Sequence, residues 1–432
     1  MFDIRDVNYL RFSQKFRYPS KQIAGITLKK GLLYGVCNFF LSFLLSFFRN
    51  PLSLKKLVER SGEFVFFYNG RNQYNALIGV YEAIKSAGKA VAMVNNAELP
   101  MWRSYVYALC NSVSFWKMLS HSKPEEKKII ANELATFWRS YGDYFLIRKW
   151  CYHSKMKFFI VANDHDPLMR SSVQACNDLN IKTAYIQHAS VTERFPPLIA
   201  SYAFLDGIDS LEKYRYNNKK ISSKVYLIGG ARFDLAIHSS EEDTSNVIGI
   251  ALTRRDEQCC WERLVDDITS SFPALSIILR PHPRMDKEPI KNYCSAKGIY
   301  YSDPMTENSF SFLKHVGLLI ANETSTHLDA MIMHRPTVLY VGLSNSGLRD
   351  HYGMVKRGLL KWSSDFQDLK QYIAKPSLLT PNTNGVRFFN ASYQTRFEFK
   401  VSDLIANILM NDGNDIDGII DKGGIKYIDY EA

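Results

Sequence analysis

The stretch Phe158-Phe159-Ile160-Val161-Ala162-Asn163-Asp164-His165-Asp166-Pro167 decides the fold. Its five apolar residues show no polar alternation, which predicts a strand buried on both faces, as in a parallel sheet covered by helices. The run breaks at a polar cluster, and 168–179 then predicts a helix, with Asp164 or Asp166 as its cap and Pro167 in its first turn. Downstream, 183–186 predicts a strand ending in Gln187-His188. Further strands follow at 202–205 and, after a short helix, at 225–228. Polar residues therefore collect at strand C-terminal ends, the edge where open parallel sheets bind ligands.

Upstream, 63–69 reads as a strand ending in Asn69-Gly70, followed by a helix at 73–87 and a strand at 89–94. Residues 101–150 read as helices, one of them starting at Pro124-Glu125-Glu126. After the polar stretch 238–246 the strand and helix rhythm restarts. Strand 247–252, helix 258–271 and strand 275–279 lead into Arg280-Pro281-His282-Pro283-Arg284. Strand 298–301, helix 310–315, strand 318–321, the turn 322–325, helix 326–333 and strand 337–340 complete this half. Residues 396–410 predict a helix, and the Gly- and Asp-rich stretch after Asn411 reads as a mobile tail. The expected class is α/β, with an N-terminal segment at 1–60 carrying an apolar helix, Rossmann-like domains at 61–240 and 246–395, and a terminal segment at 396–432.

A net charge of +11 over 432 residues favours an anionic partner. Nucleic acid is a poor candidate, because the basic residues are scattered and no recognition motif accompanies them. Seven cysteines form an odd set without a CxxC pair or zinc-finger spacing, and they read as reduced thiols in a cytoplasmic protein. Residues 1–22 mix Asp3, Arg5, Asp6, Arg11, Lys15, Arg17 and Lys21 with aromatics and do not form a secretory signal. In 31–48, Asn38, Ser42 and Ser46 share one helical face of an otherwise apolar run, flanked by Lys29, Lys30, Arg49, Lys55 and Lys56. That pattern favours a helix lying at the inner face of the cytoplasmic membrane. A buried helix and a true span are the alternatives, in that order.

In Arg280 to Arg284, two prolines stiffen a histidine at a strand end and two guanidiniums flank it, a set suited to phosphate oxygens. A rigid turn is the plainer reading. Glu323-Thr324-Ser325-Thr326-His327 opens a helix, where hydroxyls and free amides can cap or bind an anion. In the first half, Asp164, His165, Asp166 and His188 stand at strand ends as candidates for a general base or a carboxylate nucleophile. Glu193 and Arg194 are weaker acceptor-side candidates. Asp164-His165-Asp166 matches DxD by letters, but its place before a helix, apart from the basic phosphate site, argues against metal binding. No metal and no cofactor are expected.

The segments 225–234, with Val225-Tyr226-Leu227-Ile228-Gly229-Gly230-Ala231-Arg232-Phe233-Asp234, 280–284 and 323–339 together resemble bacterial GT-B glycosyltransferases of the capsule and lipopolysaccharide type. These include Kdo transferases and polysialyltransferases, which use CMP-sugars, and teichoic-acid polymerases, which use CDP-alditols. The resemblance covers roughly 155–345 and rests on the order of modest motifs. It implies two Rossmann-like domains facing across a cleft. It also implies a donor phosphate gripped by His282, with Ser325 and Thr326 as the hydroxyl motif. Gln187-His188 is similar to a Gln-His that glycine often follows in capsule-synthesis relatives; here Ala189 follows. The implied activity moves a sugar from a nucleotide-activated donor, CMP- or CDP-linked, to a glycan or glycolipid acceptor. A UDP-sugar transferase, a UDP-sugar epimerase and a non-catalytic subunit of a polysaccharide assembly complex are the alternatives.

Overall fold

A computed structural model describes residues 3–9, 31–48, 51–217, 221–236, 244–345, 347–414 and 416–430. The expectations placed on 10–22, on Lys29, Lys30 and Arg49 and on 237–243 lie outside these residues. The chain forms two compact units, Met1–Arg232 with Lys400–Ala432, and Phe233–Phe399. The chain thus passes from the first unit to the second just after Arg232, ahead of the polar stretch 238–246.

In the first unit β1 (Phe64–Tyr68), β2 (Val91–Asn95), β3 (Phe158–Val161), β4 (Lys182–Ile186), β5 (Tyr202–Leu205) and β6 (Lys224–Leu227) form a parallel sheet in the order 6-5-4-3-1-2. All four residues of β3 are buried, as an interior parallel strand requires. Val65, Phe67, Phe159, Val161, Ala203 and Trp150 share one core. The chain runs outward from β1 to β2 and returns to place β3 on the other side of β1. The strand order therefore reverses between β1 and β3.

A helical layer accompanies this sheet. The 20-residue Leu134–His153 helix packs on Met101–Cys110 so closely that a Cβ on Gly142 would collide with the Ser104 carbonyl oxygen. Beside that contact the buried Asp143 accepts a hydrogen bond from Ser104 Oγ at 2.7 Å and pairs with Arg139 at 3.3 Å. Leu32–Ser46 joins the same layer by Gly35, Phe39 and Ser46, with Phe39 stacked on Trp138 at a centroid distance of 4.1 Å. Its opposite side leaves apolar residues in the open. Leu33 is 77% and Phe48 87% exposed, and Leu41, Leu44 and Leu45 are also uncovered. Among the described residues no helix is long and apolar enough to cross a membrane. The helix within 31–48 has 15 residues.

The second unit holds β7 (Val247–Ala251), β8 (Ser276–Arg280), β9 (Tyr300–Tyr301), β10 (Leu318–Ala321), β11 (Thr337–Tyr340) and β12 (Lys361–Ser363) in the order 12-11-10-7-8-9, all parallel. Ile248, Ile250, Leu279, Ile320, Val338 and Trp261 form its core. Here the order reverses between β7 and β10.

The segment read as a mobile tail is instead ordered. The helix expected at 396–410 is observed as Val401–Met410, and beyond it β13 (Ile419–Lys422) and β14 (Ile425–Ile428) form an antiparallel hairpin whose second strand pairs in parallel with β6. Positive-φ Gly423 and Gly424 make the turn, so glycines taken as a sign of mobility serve a tight reversal. Two further anchors hold this segment to the first unit: Asp412 accepts from Tyr202 Oη at 2.7 Å and from Lys182 Nζ at 2.5 Å.

Candidate functional site

In the second unit the C-terminal ends of β7, β8 and β10 bring the expected residues to one edge. The loop after β7, Thr253-Arg254-Arg255-Asp256, stands across the order reversal from the loop after β10, Asn322 to Ser325. Asp256 joins the two. It accepts from Thr253 N at 2.5 Å and from Asn322 Nδ2 at 2.9 Å, and burial raises its pKa. Asn322 Nδ2 also donates to Ser344 Oγ at 3.1 Å. Arg254 and Arg255 are left exposed at this edge. In the sequence nothing marks them, because a charged pair after a strand has the pattern of an ordinary solvated turn.

Pro281 and Pro283 hold His282 so that its Nδ1 accepts from Arg284 N at 3.1 Å. A backbone amide can only donate, so Nδ1 carries no proton and Nε2–H is the ring's free donor. Burial lowers the pKa of His282, and the neighbouring charges of Arg254 and Arg284 lower it further. The imidazole therefore offers a neutral hydrogen bond, while the guanidiniums supply the positive charge.

Arg280 has a different part. It is 9% exposed and donates to Ser302 Oγ at 2.6 Å and to the Glu307 carbonyl at 2.8 Å, with the Glu307 carboxylate at 3.5 Å. Its position as the last residue of β8 directs it toward the neighbouring β9 loop, so it braces the edge from within.

The hydroxyl motif is also more specialised than expected. Ser325 occupies the N-cap position of Thr326–Ile332 but makes no capping bond with its side chain, and it is hydrogen-bonded to Tyr352. Thr324 Oγ1 instead accepts from Thr326 N at 3.3 Å and lies 3.0 Å from Thr326 Oγ1. With only two helical turns behind it, the dipole is modest, so hydroxyls and nearby arginines carry the anion chemistry. His327 Nε2–H donates to the Asn322 carbonyl at 2.9 Å, and its Nδ1 accepts from Thr337 Oγ1 at 2.6 Å. Burial lowers its pKa to about 4, so it pins the loop as a neutral group.

In the first unit, the loop after β3 stands across the reversal of strand order from Asn69-Gly70 after β1. Asn163 Oδ1 accepts from His165 N at 2.9 Å and Asp166 N at 2.8 Å, and so fixes the loop. Asp166 is the N-cap of Pro167–Asn177, accepting from Leu168 N at 2.9 Å and Met169 N at 3.3 Å. Asp164 is buried. Its Oδ2 accepts from Tyr214 Oη at 2.5 Å, and its Oδ1 faces His165 Nδ1 at 3.1 Å.

His188 stands at the end of β4 with its ring 6.2 Å from that of His165 and a buried, unpartnered Nδ1. Burial, and then His165, lower its pKa to about 4. Beneath it, Gln187 Oε1 accepts from Asp206 N at 3.0 Å, and Asp206 forms a buried two-oxygen pair with Arg232 at 2.9 and 2.5 Å. Arg170, 1% exposed, donates to the Asp164 and Pro197 carbonyls at 2.9 and 3.1 Å and to both oxygens of Asp6 at 2.7 Å. Glu193 is exposed and Arg194 half-buried in the segment that follows. That segment's Phe195 covers the His165 ring at 4.6 Å. An aromatic in a proline-flanked loop gave no sign of this contact in the sequence.

Among the described residues, one group could hold a metal ion: Glu257, Cys259 and Cys260, whose ligand atoms lie within 4.8 Å of one another. It lies at the start of the Gln258–Ser271 helix and includes none of the candidate residues.

No family model matches this chain, and no curated protein matches it. Solved structures do. UDP-GlcNAc 2-epimerase from Neisseria meningitidis bound to UDP-GlcNAc aligns with a TM-score of 0.55 at 12% identity, over 81% of this chain and 99% of that one. The wall teichoic acid polymerase TagF aligns with a TM-score of 0.51 at 12% identity, over 95% and 98%. The chain has the GT-B fold. The glycotransferase of kitacinnamycin shares it, with a TM-score of 0.50 at 9% identity over 81% and 99%. At these identities the likeness establishes the fold alone, and the chemistry has to come from the two sheet edges.

Proposed function

We propose that this chain is a glycosyltransferase that moves a sugar from a nucleotide-activated donor to a surface-glycan or glycolipid acceptor. The observation that carries the reading is the β7/β8/β10 edge, where the free Nε2–H of His282 stands beside the exposed charges of Arg254 and Arg284. That set matches a nucleoside phosphate. A neutral donor and fixed cations would stabilise the charge that builds on the leaving phosphate as the sugar departs, without reorganising during the reaction. Thr324, Ser325 and Thr326 add hydroxyls on the same edge. The first unit would take the acceptor, with Asp164, Asp166, His188, Glu193 and Arg194 as the side chains near it, and no metal is required by this chemistry. A CMP- or CDP-linked donor is favoured by the resemblance of the 280–284 and 323–339 segments. The uncovered apolar side of Leu32–Ser46, with exposed Lys55 and Lys56 following it, fits a protein working at an acidic membrane surface.

Nucleotide release from a panel of CMP-, CDP- and UDP-sugars, with and without lipid-linked glycan acceptors, tests the reading. Acceptor-dependent release of CMP or CDP is expected. His282→Ala should raise the donor KM about 10- to 100-fold, as loss of a hydrogen bond to a charged group predicts. Strict use of UDP-sugars overturns the donor assignment, and epimer formation from donor alone overturns the transferase reading.

A further inference from the structure

Four polar side chains gather at the ends of β3 and β4, and their surroundings rank them as candidate bases. Asp166 is the N-cap of Pro167–Asn177, its Oδ1 accepting from two backbone amides, so its carboxylate is tied to the helix start. His188 is held neutral by burial, with a pKa too low for efficient proton uptake near neutrality. Asp164 faces inward, each oxygen already engaged. The unpartnered Nδ1 of His188 is buried, whereas His165 joins a free ring nitrogen to a partly open side chain, 26% exposed.

The direction of each hydrogen bond sets its tautomer. As a carboxylate, Asp164 only accepts, so Tyr214 Oη–H donates to Oδ2 and His165 Nδ1–H donates to Oδ1. The proton on Nδ1 leaves the lone pair on Nε2. This is the reverse of His282, whose Nε2 carries the proton. The scaffold behind Asp164 is rigid. Tyr214 is fully buried and also lies 3.3 Å from Tyr185 Oη, Arg170 clamps the Asp164 carbonyl, and Phe195 covers the imidazole.

We propose that His165 is the catalytic base of the transfer reaction, with Asp164 and Tyr214 as its positioning residues. The proposal rests on the transferase reading above. His165 Nε2 takes the proton of the acceptor hydroxyl as that oxygen bonds to the anomeric carbon. The bond from this carbon to the donor phosphate oxygen breaks, and its electron pair leaves with the nucleotide. Asp164 then holds the imidazolium until the proton passes to solvent. The groups surrounding His165 are Asp164 and Asp166 on its own loop, His188 at the end of β4, Tyr214 on the Ile208–Asn217 helix, and Arg170 on Pro167–Asn177.

The test compares His165→Gln and Tyr214→Phe with the wild type in the full-length protein. His165→Gln should lower kcat for transfer by about 10²- to 10⁴-fold, the range for loss of a general base, with donor affinity changed less than about twofold. Tyr214→Phe removes one hydrogen bond from Asp164 and leaves its negative charge less dispersed. The acid limb of the kcat profile should therefore move to higher pH, which a purely structural loss would not produce. Unchanged kcat in His165→Gln, or a fallen kcat with an unmoved limb in Tyr214→Phe, overturns the proposal. Nitrogen NMR of the histidine rings, assigned by difference against His165→Gln, gives a readout independent of turnover. Proton occupancy at Nδ1 is expected, and an Nε2–H tautomer at His165 overturns the proposal even if the transferase reading holds. Failure of the wild type to use any donor counts against the transferase reading, and with it the base role.

Discussion

Acidification from pH 7 to 5 should loosen the second unit at one identifiable point. His327 links the Asn322 carbonyl to Thr337 as a neutral ring, and burial lowers its pKa to about 4, against an ordinary value of 6.5. Between these values the unfolded chain binds the proton and the folded chain does not, so the protection is complete above pH 6.5 and falls away as pH drops toward 4. Integrated over proton binding, this one ring contributes about 2 kcal/mol of lost stability between pH 7 and 5, and about 3 kcal/mol by pH 4. His188, also lowered to about 4, adds a loss of the same sign in the first unit. Hydrogen exchange of the full-length protein separates the two, because peptides spanning Leu318–Ala321 and Thr337–Tyr340 report on His327. Their protection factors, corrected for intrinsic rates, should fall about 30-fold from pH 7 to 5, the equivalent of about 2 kcal/mol. His327→Gln should be less stable at pH 7 but flat across this window. An equal fall in wild type and variant would refute the assignment.

Two further outcomes follow from packing and exposure. Gly142→Ala drives a methyl into the Ser104 carbonyl and should cost about 2–3 kcal/mol, read as a lower urea midpoint, whereas Gly88→Ala, open on all sides but at positive φ, should cost about 1 kcal/mol. Replacing the exposed Leu41 and Leu45 together by Asp should cut co-sedimentation with phosphatidylserine vesicles by at least about 100-fold, at about 1.5 kcal/mol or more per buried leucine. Equal binding by the double variant would show that this helix does not meet lipid.

The strands were legible because a buried parallel strand has no choice of composition. The runs at 202–205, 318–321 and 337–340 and the helix at 258–271 match the observed elements residue for residue. The chemistry was less legible for a directional reason. That Arg280 turns inward while Arg284 stays exposed depends on where β8 ends beside β9, and one-dimensional spacing does not contain that neighbour. Asp166 and Asp164 look equivalent in sequence, yet one meets amides and the other a tyrosine fifty residues away. The tail hairpin was hidden because β13 is polar at its exposed end and draws its stability from pairing through β14 with β6, a contact set by tertiary structure.

That pairing bears on how the protein is made. As the chain leaves the ribosome, the first sheet would stand with the β6 edge open while the whole second unit is synthesised. Only when 425–428 emerges can the edge close. An uncovered parallel edge is a template for wrong partners. Chains released early, or cut after residue 399, would therefore be expected to aggregate through their first half even though every residue of the candidate base site is already present.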